Sequence, residues 1–226
     1  MFLKMTRVAH AIGVRGAQTL TLVLCVNLFA FSDGTAMDYP LQSEQVREAY
    51  FLGRTTNSER LSEFFNPYVH HFPYPDHGPY VESVEFRTPF ERVVLRSQAN
   101  IDGSVASAEE AYAGHPRLVF VRVLIFATRT FAGPNVQSPD SKGIKLWTVD
   151  DFLQGFQFRV GQERSIEPKK TNRGPACPFG GCEPFDGFEA MLQFDAEQFT
   201  SGTVWVEVTS PGGQVARAEF DLDELK

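Results

Sequence analysis

The chain is short of the features that announce a chemistry: 3 Cys and 2 Trp in 226 residues, and none of the compact catalytic signatures. No glycine-rich loop with a following lysine is present to cradle phosphate, so no nucleotide or other cofactor is implied. No Gly-x-Ser-x-Gly elbow presents a serine nucleophile, and no His-Glu-x-x-His pair sets out zinc ligands on a helix. No Asn-x-Ser/Thr sequon marks a glycosylation site. No residue is singled out as catalytic, and a non-enzymatic role is the leading expectation.

Long apolar runs are also missing. Leu20 to Phe31 is apolar apart from Thr21 and Asn27, 12 residues in all, and Ser32, Asp33 and Gly34 follow at once. Crossing a bilayer takes roughly 20 apolar residues, so the run is too short for an anchor. Lys4, Arg7 and Arg15 precede it, and Gly34 and Ala36 set small side chains before Met37. That order predicts a signal peptide over residues 1–36, cleaved on export to the periplasm or medium, with no stable membrane span left behind. Leu24 precedes Cys25 where a lipidation site wants a small residue, which argues against a lipoprotein.

Basic charge is scarce in what remains. The whole chain carries 21 Lys plus Arg against 28 Asp plus Glu. The first 36 residues hold three of the basic groups and one of the acidic, so the mature part has 18 against 27, a net charge of −9. Such a surface repels phosphate backbones and excludes nucleic acid as a partner.

Cys177 and Cys182 are the cysteines left after cleavage, in Cys-Pro-Phe-Gly-Gly-Cys. Exported cysteines tend to pair, and closing so short a loop is worth about 2 kcal/mol in the chain-entropy model. A disulfide is the expectation. A redox pair or half a zinc site is the alternative, although thioredoxin-like motifs space their cysteines more closely and structural zinc needs more ligands.

Periodicity divides the mature chain into a helical segment with an aromatic connector, residues 37–80, and a mainly β part, residues 81–226. Ser43 is expected to cap a helix running to about Leu52 and stopped by Gly53, and Thr56 with Glu59 reads as the capping box of a second one. Leu61, Phe64, Phe65 and Tyr68 then share one face. After Tyr80 the period becomes two. Strands are expected at Val81 to Phe86, Phe90 to Ser97, Leu118 to Phe126, Phe156 to Val160 and Phe188 to Phe194. A closing hairpin is expected with strands around Val204 to Val208 and Ala216 to Leu222, turning at Ser210 to Gly213. Short helices are read after Ser107 and after Thr148, and Glu163 to Gly187 as a long surface excursion. Many short strands without a βαβ rhythm predict an antiparallel β-sandwich or open barrel with two short N-terminal helices. The rival is an α+β fold with helices on one face of an antiparallel sheet.

Three of the four histidines after residue 36 fall between His70 and His77, in a stretch that also holds Tyr68, Phe72, Tyr74, Asp76 and Tyr80. His70, His71, Tyr74, Asp76, His77 and Tyr80 form the candidate binding set. Histidine with aspartate can ligate metal, which keeps a secreted hydrolase or metal-dependent enzyme built on His70, His71 and His77 as the alternative. Neighbouring side chains on an extended segment point to opposite sides, so His70 and His71 are not expected to share one ion. Tyrosine and proline here equally suit a connector packed on the core or a surface for protein, peptide or carbohydrate. The pairs Asp150–Asp151 and Glu109–Glu110 sit at helix starts and read as dipole partners. Trp147 and Trp205 read as core more than as a sugar platform. Arg122 interrupts the most apolar strand and must find a carboxylate or carbonyls.

Glu48-Ala49-Tyr50-Phe51-Leu52-Gly53, Gly78-Pro79-Tyr80-Val81 and Thr88-Pro89-Phe90 together resemble an uncharacterised family of secreted bacterial proteins. The resemblance covers about the first third of the mature chain. It implies a bacterial exported protein and carries no activity and no catalytic residues.

Overall fold

The computed structural model describes Met37 and residues 39–115, 117–128, 153–176 and 187–226. The predicted signal segment, the Cys177–Cys182 loop, Trp147 and the short helix expected after Thr148 lie outside the described residues. Residues 35–226 group as one compact unit.

The chain opens with two helices, α1 (Ser43–Gly53) and α2 (Ser58–Phe65). A single 3-10 turn at Asn66–Tyr68 leads into β1 (Val69–His71), and a loop then returns the chain as β2 (Pro79–Arg87). Helices α3 (Pro89–Ala99) and α4 (Val105–Ala113) follow, then β3 (Leu118–Ala127). The remaining strands are β4 (Gln157–Gly161), β5 (Ser165–Ile166), β6 (Lys170–Pro175), β7 (Phe188–Asp195), β8 (Thr203–Thr209) and β9 (Val215–Asp221).

Among the described residues all pairings are antiparallel, in two sheets ordered β1-β2-β3-β7-β6 and β5-β4-β8-β9. Their inner faces meet in one core. Val84 and Phe86, the alternate residues Val119, Val121, Val123 and Ile125, and Ala190, Leu192 and Phe194 come from the first sheet; Val160, Val204, Val206, Val208, Ala218 and Phe220 come from the second. Phe86 makes ring contacts with Phe199 and Phe220 at 5.4 and 5.6 Å. The fold is mainly β, a sandwich of two antiparallel sheets with a helical annex, and the described strands close no barrel.

The annex has its own apolar centre. Leu41, Val46, Ala49, Phe90, Val93 and Val94 are buried together, with Leu61, Phe64 and Phe65 packed around them. Gly53 is where α1 touches α3: a Cβ there would stand 2.3 Å from the Val94 carbonyl oxygen and 2.9 Å from the Ser97 Cβ. Its job is close approach, within the last turn of α1 rather than beyond it.

Residues 90–97 correct the sequence reading, because they form a helix and not a strand. Thr88 caps it by accepting the Glu91 N–H on Oγ1, and Pro89 occupies the first turn, the place where a proline costs no hydrogen bond. Phe90, Val93, Val94 and Ser97 are the buried residues, at helical spacing. Four helices are present among the described residues where two N-terminal ones and a short one at 107–114 were expected there. Three caps also move: Gln42 rather than Ser43 caps α1, Asn57 rather than Thr56 caps α2, and Ser104 rather than Ser107 caps α4. Within the expected excursion, Lys170–Pro175 pairs with β7 as an edge strand. It shows no alternation because neither of its faces is buried.

Candidate functional site

The aromatic stretch becomes the first hairpin of the larger sheet. Val69, His70 and His71 pair with Glu85, Val84 and Ser83, and the Phe72 N–H donates to the Glu82 carbonyl at 2.9 Å. The loop of residues 72–78 closes at Gly78, whose φ of 91° suits glycine, and the Gly78 carbonyl accepts the Thr128 N–H at 3.1 Å. Tyr68 anchors the other end. It is buried, its hydroxyl donates to the Lys226 carbonyl at 3.1 Å, and it accepts the Lys226 N–H at 2.9 Å.

The period-two backbone sends the histidines apart. His70 turns to the second sheet, with Nε2 2.7 Å from the Glu219 carbonyl oxygen and its ring edge-on to Phe220 at 5.0 Å. His71 Nδ1 lies 3.0 Å from Glu82 Oε1, and its side chain is 69% exposed. Tyr74 is 62% exposed and meets Tyr80 edge-to-face at 5.0 Å. Partial burial, then the neighbouring Tyr74 and the Glu82 carboxylate, raise the Tyr80 hydroxyl above the ordinary phenol value. Asp76 and His77 are exposed on the loop. The hairpin thus gathers Tyr74 with Tyr80 and His71 with Glu82, and leaves His70 on the far side. Among the described residues no three His, Cys, Asp or Glu side chains are grouped to hold a metal ion. The hairpin presents an aromatic pair for stacking beside a histidine–carboxylate pair for hydrogen bonding.

Arg122 finds the partners its position demands, on the outer face of the larger sheet. Its Nη1 donates to Glu85 Oε1 at 3.0 Å and its Nε to Glu189 Oε2 at 2.8 Å, while Arg87 pairs with the other Glu85 oxygen. These side chains are 15–27% exposed. Burial works against the Arg122 charge, but the Glu85 and Glu189 carboxylates outweigh it and hold its pKa above the ordinary value.

Beside this cross-strand chain lies a residue that sequence reasoning missed. Glu91 on α3 is 3% exposed, and its Oε2 has no hydrogen-bond partner. Burial pushes its carboxyl up to about 8, with Arg87 offsetting only part of the effect. Thr88-x-x-Glu91 has capping-box spacing, which was the available signal. Only the threonine half forms, and Glu91 turns inward instead.

No family model, curated protein or solved structure matches the chain.

Proposed function

We propose that the protein is an exported, non-enzymatic binding module of the bacterial cell envelope. The β1–β2 hairpin receives a protein, peptide or carbohydrate partner. The observation that carries this reading is the exposed Tyr74 ring set edge-on against Tyr80 at 5.0 Å, next to the His71–Glu82 pair. Aromatic faces with polar tips suit sugar rings and peptide side chains. β1 also lies at the edge of its sheet, where an extended peptide can add. Among the described residues no helix is long and apolar enough to cross a membrane.

The test is a titration of the purified protein with cell-wall oligosaccharides and with extended peptides, followed by the tyrosine and histidine ring resonances. Saturable shifts at Tyr74, Tyr80 and His71 that vanish in Tyr74→Ala support the reading. Shifts confined to other surfaces refute it. The alternative of a metal-dependent hydrolase draws on the same histidines. Near-stoichiometric zinc in the purified protein, lost in His71→Ala/His77→Ala, would replace the binding-module reading. Export is tested separately: N-terminal sequencing of the secreted form should begin at Met37.

A further inference from the structure

Residues of α3, of α4 and of the turn after α4 line a cleft of ≈ 40 Å³. Its charged lining is Arg92 and Arg96 from α3, the His115 ring stands just beyond α4, and its apolar walls include Val93, Ala108 and Ala111. Arg92 and Arg96 stand four apart and so share a helix face. Across from them, the two alanines place methyl groups where longer side chains would close the gap.

The two guanidinium groups here are left unneutralised. Arg92 Nη1 donates to the Leu118 carbonyl at 3.0 Å and, at greater length, to that of His115 at 3.4 Å, and its guanidinium lies over the Phe120 ring at 4.6 Å. Two carbonyls and an aromatic face fix the group in place without cancelling its charge. Among the described residues Arg92, Arg96 and His115 make no ion pair, and no carboxylate lines the cleft. Arg122 and Arg87, by contrast, are satisfied by glutamates. A pocket of unmatched positive charge is out of character for a chain of net charge −7.

We propose that the α3–α4 cleft binds the carboxylate group of a small organic acid. Guanidinium forks match the two oxygens of a carboxylate. A pre-fixed Arg92 loses little side-chain freedom on binding. The cleft takes a head group with a short apolar tail against Val93, Ala108 and Ala111; inorganic phosphate has no such tail and makes less use of the walls. This site lies on the helical annex and is independent of the hairpin reading.

The experiment is a titration of the purified protein with butyrate, followed by the His115 ring resonances. Butyramide serves as the uncharged twin and inorganic phosphate as the tail-less anion. Butyrate should give a saturable shift and butyramide none, with phosphate weaker than butyrate. Arg96 is exposed, so Arg96→Gln should keep the fold and raise the butyrate Kd about fivefold, the worth of one exposed charge-assisted contact. Ala111→Leu should abolish binding by filling the cleft, with an unchanged circular dichroism spectrum. Equal shifts from butyramide, a Kd indifferent to Arg96→Gln, saturation by phosphate but not butyrate, or no saturation at all would each overturn the assignment.

Discussion

The two faces of β3 differ in what holds them. Inward, Val119, Val121, Val123 and Ile125 are wholly buried against the second sheet. Outward, Arg122 bridges Glu85 of β2 and Glu189 of β7. The inner face draws on burial of apolar area, which is non-directional and strong. The outer face draws on directed pairs that remain partly wet, where attraction and desolvation largely cancel. One strand therefore carries a stabilising face and a specifying face, and Glu85, opposite Arg122, and Glu189, diagonal to it, help to fix the register of three strands.

The largest effect should come from the inner face. Phe86 is fully buried and touches rings from beyond its own sheet. Phe86→Ala should cost about 3–5 kcal/mol, the usual range for emptying an aromatic core site, read as a fall in the urea midpoint. A loss comparable to that of a surface substitution would break the claim that the sheets share one dry core.

The next effect is set by pH. The carboxyl of Glu91 ordinarily titrates at 4.5 and in the folded chain at about 8, so the native state holds its proton more tightly than the unfolded chain does. The contribution is fully present below pH 4.5 and is lost as pH rises toward 8, at about 1.4 kcal/mol per pH unit. Glu91→Gln removes the titrating group. Wild type and variant should be close in stability at pH 4, and the variant ahead by roughly 4 kcal/mol at pH 8, measured as the difference between their denaturation midpoints across that range. Parallel curves would show that Glu91 is solvated or paired.

The outer face should yield less. Arg122→Ala leaves Glu85 and Glu189 without their shared cation, and with side chains 15–27% exposed water recovers part of the loss. About 2 kcal/mol is expected, below the range for a fully buried pair. Replacing Arg122, Glu85 and Glu189 together by apolar residues should restore much of it. A triple variant as unstable as the single one would show that the charges stabilise as well as specify.

Much of this architecture could be read from alternation. Val204, Val206 and Val208 opposite Ala218 and Phe220 follow the expected closing hairpin, because each strand has one buried face and the turn is short. Arg122 was conspicuous as the one charge in an apolar strand. Its partners were not, since they lie 37 and 67 residues away in the chain and only sheet order brings them together. Residues 90–97 misled because two adjacent valines break neither period decisively, and Thr88-Pro89 reads as a separator between strands as readily as a helix start. The opposite facing of His70 and His71 follows from a period of two, whereas the contact of Tyr74 with Tyr80 depends on how the loop folds back. The capping-box spacing of Thr88 and Glu91 signals a helix start but not the burial of Glu91, because what covers it comes from other elements.

The smallest effect separates site from scaffold. Tyr74 is 62% exposed and stands on the loop of an edge hairpin, so Tyr74→Ala should change stability by no more than about 0.5 kcal/mol, as exposed substitutions generally do. The same substitution should remove the hairpin's response to an added oligosaccharide or peptide. An exposed aromatic ring whose removal leaves stability nearly unchanged is one that binding, rather than folding, accounts for. If Tyr74→Ala instead lowers the melting temperature as Phe86→Ala does, the hairpin belongs to the core, and the contrast between a face that folds and a surface that binds does not extend to it.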